Sequence, residues 1–455
     1  MKLEFKNLGF VKNIEIDLDK DLLILCGQNN TGKTYVAYAI YGLMKFRSVL
    51  HPSVKVKEKI RTLFDNGKIE INILDLLESN SDFFNFITKS YVEQISNVFA
   101  SEKNTFSKTD LKIQLGDKKK IIRRIESRKL DQEIGFAHTS VKIFKEENSL
   151  LLNCVVVINE KEKSDKFGVP NSVFLEFLTD RILNILTDFI FHKTYIAPAE
   201  RIAINIFSKE LSLKRNILVD KLLELKDVSK NNDPLDYINR RATRYPLPIR
   251  DSLEIAEDLN NFKKSNTEFE EFATEIEKEI LKGQVLISKE GEVQFKPEKA
   301  KSLKLPIHLT ASVVKSLSSL VIYFRHIAQR GDFIIIDEPE LNLHPDNQII
   351  IARIISKIVN RGFKVLVNTH SDYIIREFNN LIMLKKTENN LEKYNLTKDV
   401  LLDYKNIGAY LFHYNQRKTT NIKIDKNGFE VETIDAVTND LNIRTQELYF
   451  NTTFS

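Results

Sequence analysis

Gly27-Gln28-Asn29-Asn30-Thr31-Gly32-Lys33-Thr34 is the stretch of this 455-residue chain whose spacing most directly prescribes chemistry. It fits G-x-x-x-x-G-K-[ST], a pattern in which each residue type has its own work. The two glycines let the backbone turn tightly, so that successive N–H groups and the next helix N-terminus face phosphate oxygens. Lys33 reaches the β- and γ-phosphates of a nucleotide, and the Thr34 hydroxyl binds Mg²⁺. Tyr35, directly after, is counted with the loop as a nucleotide contact. A second constellation is Phe333-Ile334-Ile335-Ile336-Asp337-Glu338-Pro339, an apolar strand ending in two carboxylates. Asp337 is suited to hold Mg²⁺ through water, and Glu338, directed the other way, to orient or deprotonate an attacking water. Adjacent acids also end many strands as solvated termini; it is their coexistence with the loop at 27–34 that singles these out. Asn368-Thr369-His370-Ser371 closes the next strand, with His370 33 positions beyond Asp337. A histidine there can donate to the γ-phosphate and register its presence; the alternative is a packed or helix-capping residue. The candidate catalytic set is thus Glu338, His370 and Lys33.

These residues need elements to position them. Leu3 and Phe5, then Ile14, Ile16 and Leu18, alternate as strands do, and the run Leu22 to Cys26 reads as a buried strand leading into the loop. Val36, Ala37, Ile40, Leu43 and Met44 follow at helical spacing. From 311 onward, helical and strand patterns alternate: a helix with Val314, Leu317, Val321, Phe324 and Ala328 inward, a strand Phe333 to Ile336, a helix from Pro345, a strand Lys364 to Val367, a helix from Ser371 and a strand Leu381 to Leu384. That order predicts a mainly parallel sheet. Between the two halves, residues 50–190 mix helical stretches with strands at 111–115 and 150–158. Over 202–283, Ile255, Leu259, Phe262, Phe269, Phe272, Ile276 and Ile280 make a heptad-like stripe that reads as a helical arm or hairpin. Val285, Ile287, Val293 and Phe295 flank Glu290-Gly291 as a β-hairpin. A second hairpin is expected about Asn427-Gly428, followed by an amphipathic helix with Ile434, Val437, Leu441, Ile443 and Leu448.

Composition sets bounds on function. With 42% hydrophobic and 29% charged residues the chain is of globular, not disordered, type. Its 68 basic and 63 acidic residues leave a formal charge of +5, too small to argue nucleic-acid binding without local clustering. Two such clusters exist. One holds Lys118, Lys119, Lys120, Arg123, Arg124, Arg128 and Lys129 against Glu126; the other holds Arg240, Arg241, Arg244 and Arg250 near Tyr245. Each is either a phosphate-contacting patch or a solvated helix face. Cys26 and Cys154 lack partners at zinc-ligand spacing and read as buried hydrophobes. No apolar run approaches the roughly 20 residues of a membrane span, and the N-terminus lacks a signal-peptide core, so a cytoplasmic chain without a membrane partner is expected.

With these residues in view, the chain resembles the ABC class of P-loop ATPases, in its RecF/SMC-like and OLD-like branch. The resemblance covers residues 1–47 and about 305–385, and Glu338-Pro339-Glu340-Leu341-Asn342-Leu343-His344-Pro345 is especially like the OLD type. It implies an α/β ABC-type head, a mixed sheet with flanking helices, carrying an inserted α+β region and a short helical arm. The corresponding division is 1–50, the first part of the head with the phosphate loop; 51–200, the inserted region; 201–300, the arm; 301–390, the second part of the head; and 391–455, a hairpin and helix suited to docking a partner. In this family two heads sandwich ATP, each giving a signature serine to the other's nucleotide. Thr310-Ala311-Ser312-Val313-Val314-Lys315 is the matching segment, with Val313 where the family has Gly, and Ser312 is the candidate acting in trans; otherwise it caps its helix. Asn342 and His344 correspond to the D-loop, although His344 is equally placed to lead into the helix at Pro345. Tyr195-Ile196-Ala197-Pro198-Ala199-Glu200-Arg201 resembles a segment in ATPase subunits of anti-phage systems such as Septu and PARIS; Glu200 or Arg201 then approaches the nucleotide, or forms a surface ion pair.

What the resemblance implies is an ATP- and Mg²⁺-dependent switch, at least a dimer, whose slow hydrolysis controls a separate nuclease or toxin in response to a nucleic-acid or phage-protein trigger. OLD relatives carry a Toprim nuclease after the ATPase, but only 85 residues follow His370 and none forms a D-x-D pair, so no nuclease centre is expected in this chain. The competing expectation is a RecF-like DNA-binding ATPase in repair or recombination. A structural SMC-type tether would need hundreds of coiled-coil residues, for which there is no room between Lys33 and Asp337.

Overall fold

Leu22–Gly27, Phe333–Asp337 and Lys364–Asn368 are buried almost throughout, as strands covered on both faces must be. They form the middle of a six-stranded sheet ordered Thr419–Ile422, Ile407–Phe412, Leu22–Gly27, Lys364–Asn368, Phe333–Asp337, Thr194–Ala197. Every neighbouring pair is parallel except the edge strand Thr419–Ile422, which runs antiparallel to Ile407–Phe412. The register brings carboxyl ends level, with Asp337 opposite Asn368 and Asn368 opposite Leu25. The sequence elements that carry chemistry therefore end at one edge of one sheet.

This computed structural model describes residues 1–46, 60–63, 66–74, 81–114, 116, 118–136, 139–158, 177–179, 181–182, 184–185, 188–189, 191–210, 245–300, 302–387, 391–414 and 418–453. They divide into two units. One comprises Met1–Glu4, Met44–Glu93 and Asp110–Lys193, the other Phe5–Leu43, Gln94–Thr109 and Thr194–Ser455. The first unit holds an antiparallel sheet ordered Lys68–Asn72, Leu151–Ile158, Thr139–Lys145, Leu130–Phe136, and the basic helix Lys118–Glu126. Several of its cations are engaged within the unit: Arg124 Nη1 lies 2.6 Å from His192 Nε2, Arg128 donates to the Asp188 carbonyl, and Lys129 pairs with Glu146. The cluster is thus partly a set of structural contacts. Arg240, Arg241 and Arg244 of the second cluster lie outside the described residues.

In the second unit the sheet is covered by helices Ser312–His326 and Pro345–Asn360, whose apolar faces are buried in the same core. The stripe expected to line a helical arm joins that core instead. Leu259, Phe269, Phe272, Ile276 and Ile280 are buried with Leu317, Val321 and Phe324, because the segment breaks into short helices that turn their apolar residues onto the head. Residues 211–244 of that region lie outside the described set. Gly283–Ile287 and Val293–Pro297 form the expected hairpin.

Two local expectations are corrected. Leu381 to Leu384 is not a strand but the interior of helix Asp372–Thr387, where Ile374, Ile375, Phe378, Leu381 and Ile382 recur on one buried face. A four-residue apolar run has no periodicity of its own, and here the longer pattern governs. Asn427-Gly428 makes a tight turn closed by Asp425 and Gly428 rather than a strand hairpin; the hairpin lies just before it, between Ile407–Phe412 and Thr419–Ile422. Helix Glu432–Thr453 forms as expected, with Val437, Leu441, Ile443 and Leu448 exposed. Among the described residues no helix is long and apolar enough to cross a membrane.

One ion pair ties the hairpin to the helices. Glu277, buried, accepts from Arg325 Nη2 at 2.7 Å and Nη1 at 3.1 Å and from the Val285 N–H at 2.6 Å, while Arg325 also donates to the Val285 carbonyl. Arg325 Nε also lies 3.4 Å from the more exposed Glu270, but losing Glu277 removes both of its short guanidinium bonds and leaves the buried Val285 N–H without its acceptor. Glu277→Ala should therefore destabilise the protein by about 3–5 kcal/mol, read as a lowered thermal midpoint; an unchanged midpoint would show that the pair contributes nothing to this packing.

Candidate functional site

The turn after Leu22–Gly27 has the backbone its sequence requires. Gly27 (φ +128°) and Gly32 (φ +97°) occupy conformations that L-residues rarely adopt, and a Cβ on either would collide, with the Phe412 carbonyl and with Val11 respectively. Thr31 Oγ1 donates to the Gln28 carbonyl at 2.8 Å, closing the loop, and helix Lys33–Lys45 begins directly after it. The loop's N–H groups and that helix N-terminus border a cavity of about 980 Å³ lined by Asn29 to Tyr35, Glu338, Asn368 and His370, with Phe10, His413 and Tyr414. Tyr35 contributes to the wall, with its ring packed against Phe10, Phe99 and Phe106.

Lys33 is buried, and its ammonium donates to the carbonyls of Gly27 (3.1 Å) and Gln28 (2.5 Å). Burial lowers its pKa to about 8, against the opposing pull of Cys26, Asp337, Glu338 and Glu340. At the neighbouring strand end, Asp337 Oδ2 accepts from Thr34 Oγ1 at 3.3 Å, and Asp337 Oδ1 accepts from Asn368 Nδ2, whose amide also lies 3.3 Å from Thr34 Oγ1. Burial first, then the Glu338 charge, push the Asp337 carboxyl up to about 7. Asn368 Oδ1 is buried without a hydrogen-bond partner. A hydroxyl, a carboxylate and an orphaned amide oxygen are hard oxygen donors, and the crowding of negative charge is what a divalent cation relieves. The residues thus fit Mg²⁺, which Thr34 and Asp337 would hold.

Glu338 is half-buried and takes φ +51°, unusual for a residue with a side chain. Its N–H donates to the Asn368 carbonyl at 2.9 Å and its Oε1 stands 3.8 Å from His370 Nε2. His370 Nδ1 lies 2.9 Å from the Gly27 carbonyl. A carbonyl only accepts, so Nδ1 carries the proton. Burial, then Lys33, lower the imidazole pKa against the pull of Glu338 and Gly27, and in the neutral ring with its proton on Nδ1 the Nε2 carries none. The expected donation from His370 to a γ-phosphate therefore requires a second proton, on Nε2. Glu340, the obvious substitute for Glu338, is committed elsewhere: its carboxylate accepts from the His370 N–H (2.7 Å) and from Thr369 Oγ1 (3.0 Å).

Ser312 is not in this cavity. It is the exposed first residue of helix Ser312–His326, and Ala311 rather than Ser312 occupies the N-cap position. His344 is the N-cap residue of Pro345–Asn360, exposed, with Nδ1 3.2 Å from Asp346. Arg201 was expected at the nucleotide or in a surface pair; it is neither, being 1% exposed and bonded to backbone carbonyls behind the carboxylates. Glu200 is exposed and accepts from the Tyr38 hydroxyl. Asn368 was signalled by its place in Asn-Thr-His-Ser, whereas Phe10, His413 and Tyr414 had no local signal.

Residues 1–375 match the AAA ATPase domain family designated AAA_15. The chain belongs to that family. Its α/β head, a mixed sheet with flanking helices around a phosphate loop, is accordingly a P-loop ATPase domain. The chain is also similar to the DNA replication and repair protein RecF of Oceanobacillus iheyensis, 26% identical over 303 residues, 63% of this chain and 70% of RecF. Among solved structures it is similar to an Smc head bound to the C-winged helix domain of ScpA (12% identity, TM-score 0.35, covering 92% of this chain and 96% of that one). A second is the Pyrococcus furiosus Smc head with an extended coiled coil bound to the C-terminal domain of ScpA (13%, TM-score 0.33, 97% and 98%).

The lowered Lys33 pKa gives this ATPase domain a pH signature. Below about 8 the ammonium is charged; above it the free protein must take up a proton to meet a phosphate. ATP affinity, measured by calorimetry in EDTA, should weaken by up to about tenfold per pH unit above 8. Lys33→Ala should remove binding altogether, and a flat profile from pH 7 to 9.5 would contradict the assignment.

Proposed function

We propose that this chain is an Mg²⁺-dependent ATPase of the ABC class acting as a nucleotide-gated switch, in which two heads close on ATP and thereby control a separate effector. The observation that carries the reading is the meeting, in one cavity, of the phosphate loop, Glu338, Asn368 and His370, beside the Thr34–Asp337 pair. Backbone N–H groups of residues 28–34 and the Lys33 ammonium bind the phosphates. Thr34 and Asp337 would hold Mg²⁺, which when bound would supply positive charge toward the phosphate oxygens. Glu338 takes the proton of a water whose oxygen bonds to the γ-phosphorus as the bond from that phosphorus to the bridging oxygen breaks, yielding ADP and phosphate. His370, fixed by Gly27 and Glu340, orients its Nε2 beside Glu338 and, when protonated, bonds a γ-phosphate oxygen.

Ser312 lies exposed at a helix N-terminus, outside its own head's cavity, which supports a role toward a partner's nucleotide. The effector reading, a nuclease or toxin controlled in prokaryotic anti-phage defence, is supported by the segments Glu338 to Pro345 and Tyr195 to Arg201. The second reading, a DNA-binding ATPase of repair or recombination, is favoured by the similarity to RecF and by the basic helix Lys118–Glu126. ATP-dependent anisotropy of labelled DNA distinguishes the two.

Glu338→Gln should keep nucleotide binding and slow hydrolysis by on the order of 10²–10⁴-fold, accumulating ATP-bound pairs on light scattering. Adding Ser312→Arg to that chain should abolish pairing while leaving ATP binding intact. Unchanged hydrolysis would move the base elsewhere, and pairs that survive Ser312→Arg would remove Ser312 from the interface.

A further inference from the structure

Arg201 is the largest fully buried side chain described, and its contacts are unusual for a buried cation. Its guanidinium donates to the carbonyls of Asp337 (Nη1, 2.6 Å) and Pro198 (Nη1, 3.1 Å), to that of Glu338 (Nη2, 2.7 Å), and through Nε to the carbonyl and hydroxyl of Ser316 (3.0 and 3.1 Å). Ordinarily a buried arginine is neutralised by a carboxylate in bidentate contact. Here every hydrogen-bond acceptor found is a backbone carbonyl or a hydroxyl, and these come from three segments.

The geometry explains why a side chain with several donors is needed. Strand Thr194–Ala197 pairs with Phe333–Asp337 only as far as Ala197 opposite Ile336, and then turns away at Pro198. The carbonyls of Asp337 and Glu338 are left beyond the ladder, just where Glu338 adopts φ +51°. Arg201 reaches back to satisfy both. Its other edge grips Ser316, buried in the second turn of helix Ser312–His326. That helix is held to the same strand by the stacked Tyr195 and Tyr323 rings, centroids 3.9 Å apart, and through Asn205 to the Lys315 carbonyl at 2.6 Å.

We infer that Arg201 is a positioning residue which fixes the left-handed turn at Glu338 to the helix bearing Ser312, so that hydrolysis, but not nucleotide binding, depends on this clamp. The inference rests on Glu338 being the base. Of the residues given to nucleotide and cation the clamp touches only Asp337, through its carbonyl; the Asp337 carboxylate is held separately by Thr34 and Asn368, and Lys33 by the Gly27 and Gln28 carbonyls. A displaced Glu338 carboxylate would miss the attacking water, where an error of 1 Å costs on the order of 10²-fold.

Arg201→Lys retains the charge but cannot span the three acceptor groups. In the full chain it should lower kcat by on the order of 10²-fold while ATP affinity, by calorimetry in EDTA so that Asp337 and the cation do not enter, changes by less than about threefold. The decisive measurement is the double variant. If Arg201 acts through Glu338, then in a Glu338→Gln background Arg201→Lys should leave the residual rate unchanged within about threefold. Multiplying losses, or an unaltered kcat for the single variant, would overturn the clamp. Should Arg201→Lys fail to fold, Ser316→Ala decides: it deletes only the hydroxyl acceptor and should cut kcat at least about threefold with affinity retained, and an unchanged kcat would overturn the proposal. Glu338→Gln measured alone separates the premises. If it hydrolyses normally the base assignment fails, and if it is slow while Arg201→Lys is fast only the clamp fails.

Discussion

A guanidinium buried beneath two adjacent carboxylates, and bonded to their backbone rather than to their side chains, is the interaction on which the site depends. Asp337 and Glu338 sit at the end of a strand whose neighbour has already departed, and their carbonyls would otherwise be buried without partners. Leaving such groups unpaired costs about 1–3 kcal/mol each. Arg201 satisfies them together, with the Glu338 side chain lining the cavity and the buried Asp337 carboxylate on Thr34 and Asn368. A carboxylate partner for Arg201 would have tied up the charge that the site requires; carbonyl partners do not.

The same strand ends concentrate opposing electrostatic demands. Burial pushes the Asp337 carboxyl up and the Lys33 ammonium down, so each is near the point at which its charge is lost. Bound polyphosphate favours the charged lysine, and a divalent cation favours the ionised aspartate. Ligand binding would thus complete a charge arrangement that the protein leaves poised, and perturbed groups of this kind cluster at functional sites. His370 and Glu340 show how orientation is secured: one ring nitrogen and one N–H are fixed by Gly27 and Glu340, so the remaining nitrogen faces Glu338.

How much of this was legible depended on whether the cause was local. The loop from Gly27 to Thr34, the strand into Asp337 and Glu338, and His370 beyond the next strand are each specified by a few consecutive residues, and the parallel register then aligns them. Leu381 to Leu384 misled because four apolar residues carry no period. The stripe from Ile255 to Ile280 reads equally well as a coiled-coil seam or as a face packed on a core; only the presence of helix Ser312–His326 decides between them. Arg201 was visible as a residue but not as a clamp, since all its acceptors except the Pro198 carbonyl lie 115 to 137 positions away along the chain. Glu340 could not be told from a second catalytic acid until its two oxygens were found occupied.

The most direct test of the account is a crystal structure of the Glu338→Gln chain with ATP and Mg²⁺. It should show the triphosphate along residues 28–34, the ion between Thr34 and Asp337, the residue at 338 still in the left-handed conformation facing the γ-phosphate, and Arg201 still on the carbonyls of 337 and 338. Nucleotide bound elsewhere, or a residue 338 turned from the γ-phosphate with Arg201 released, would contradict it.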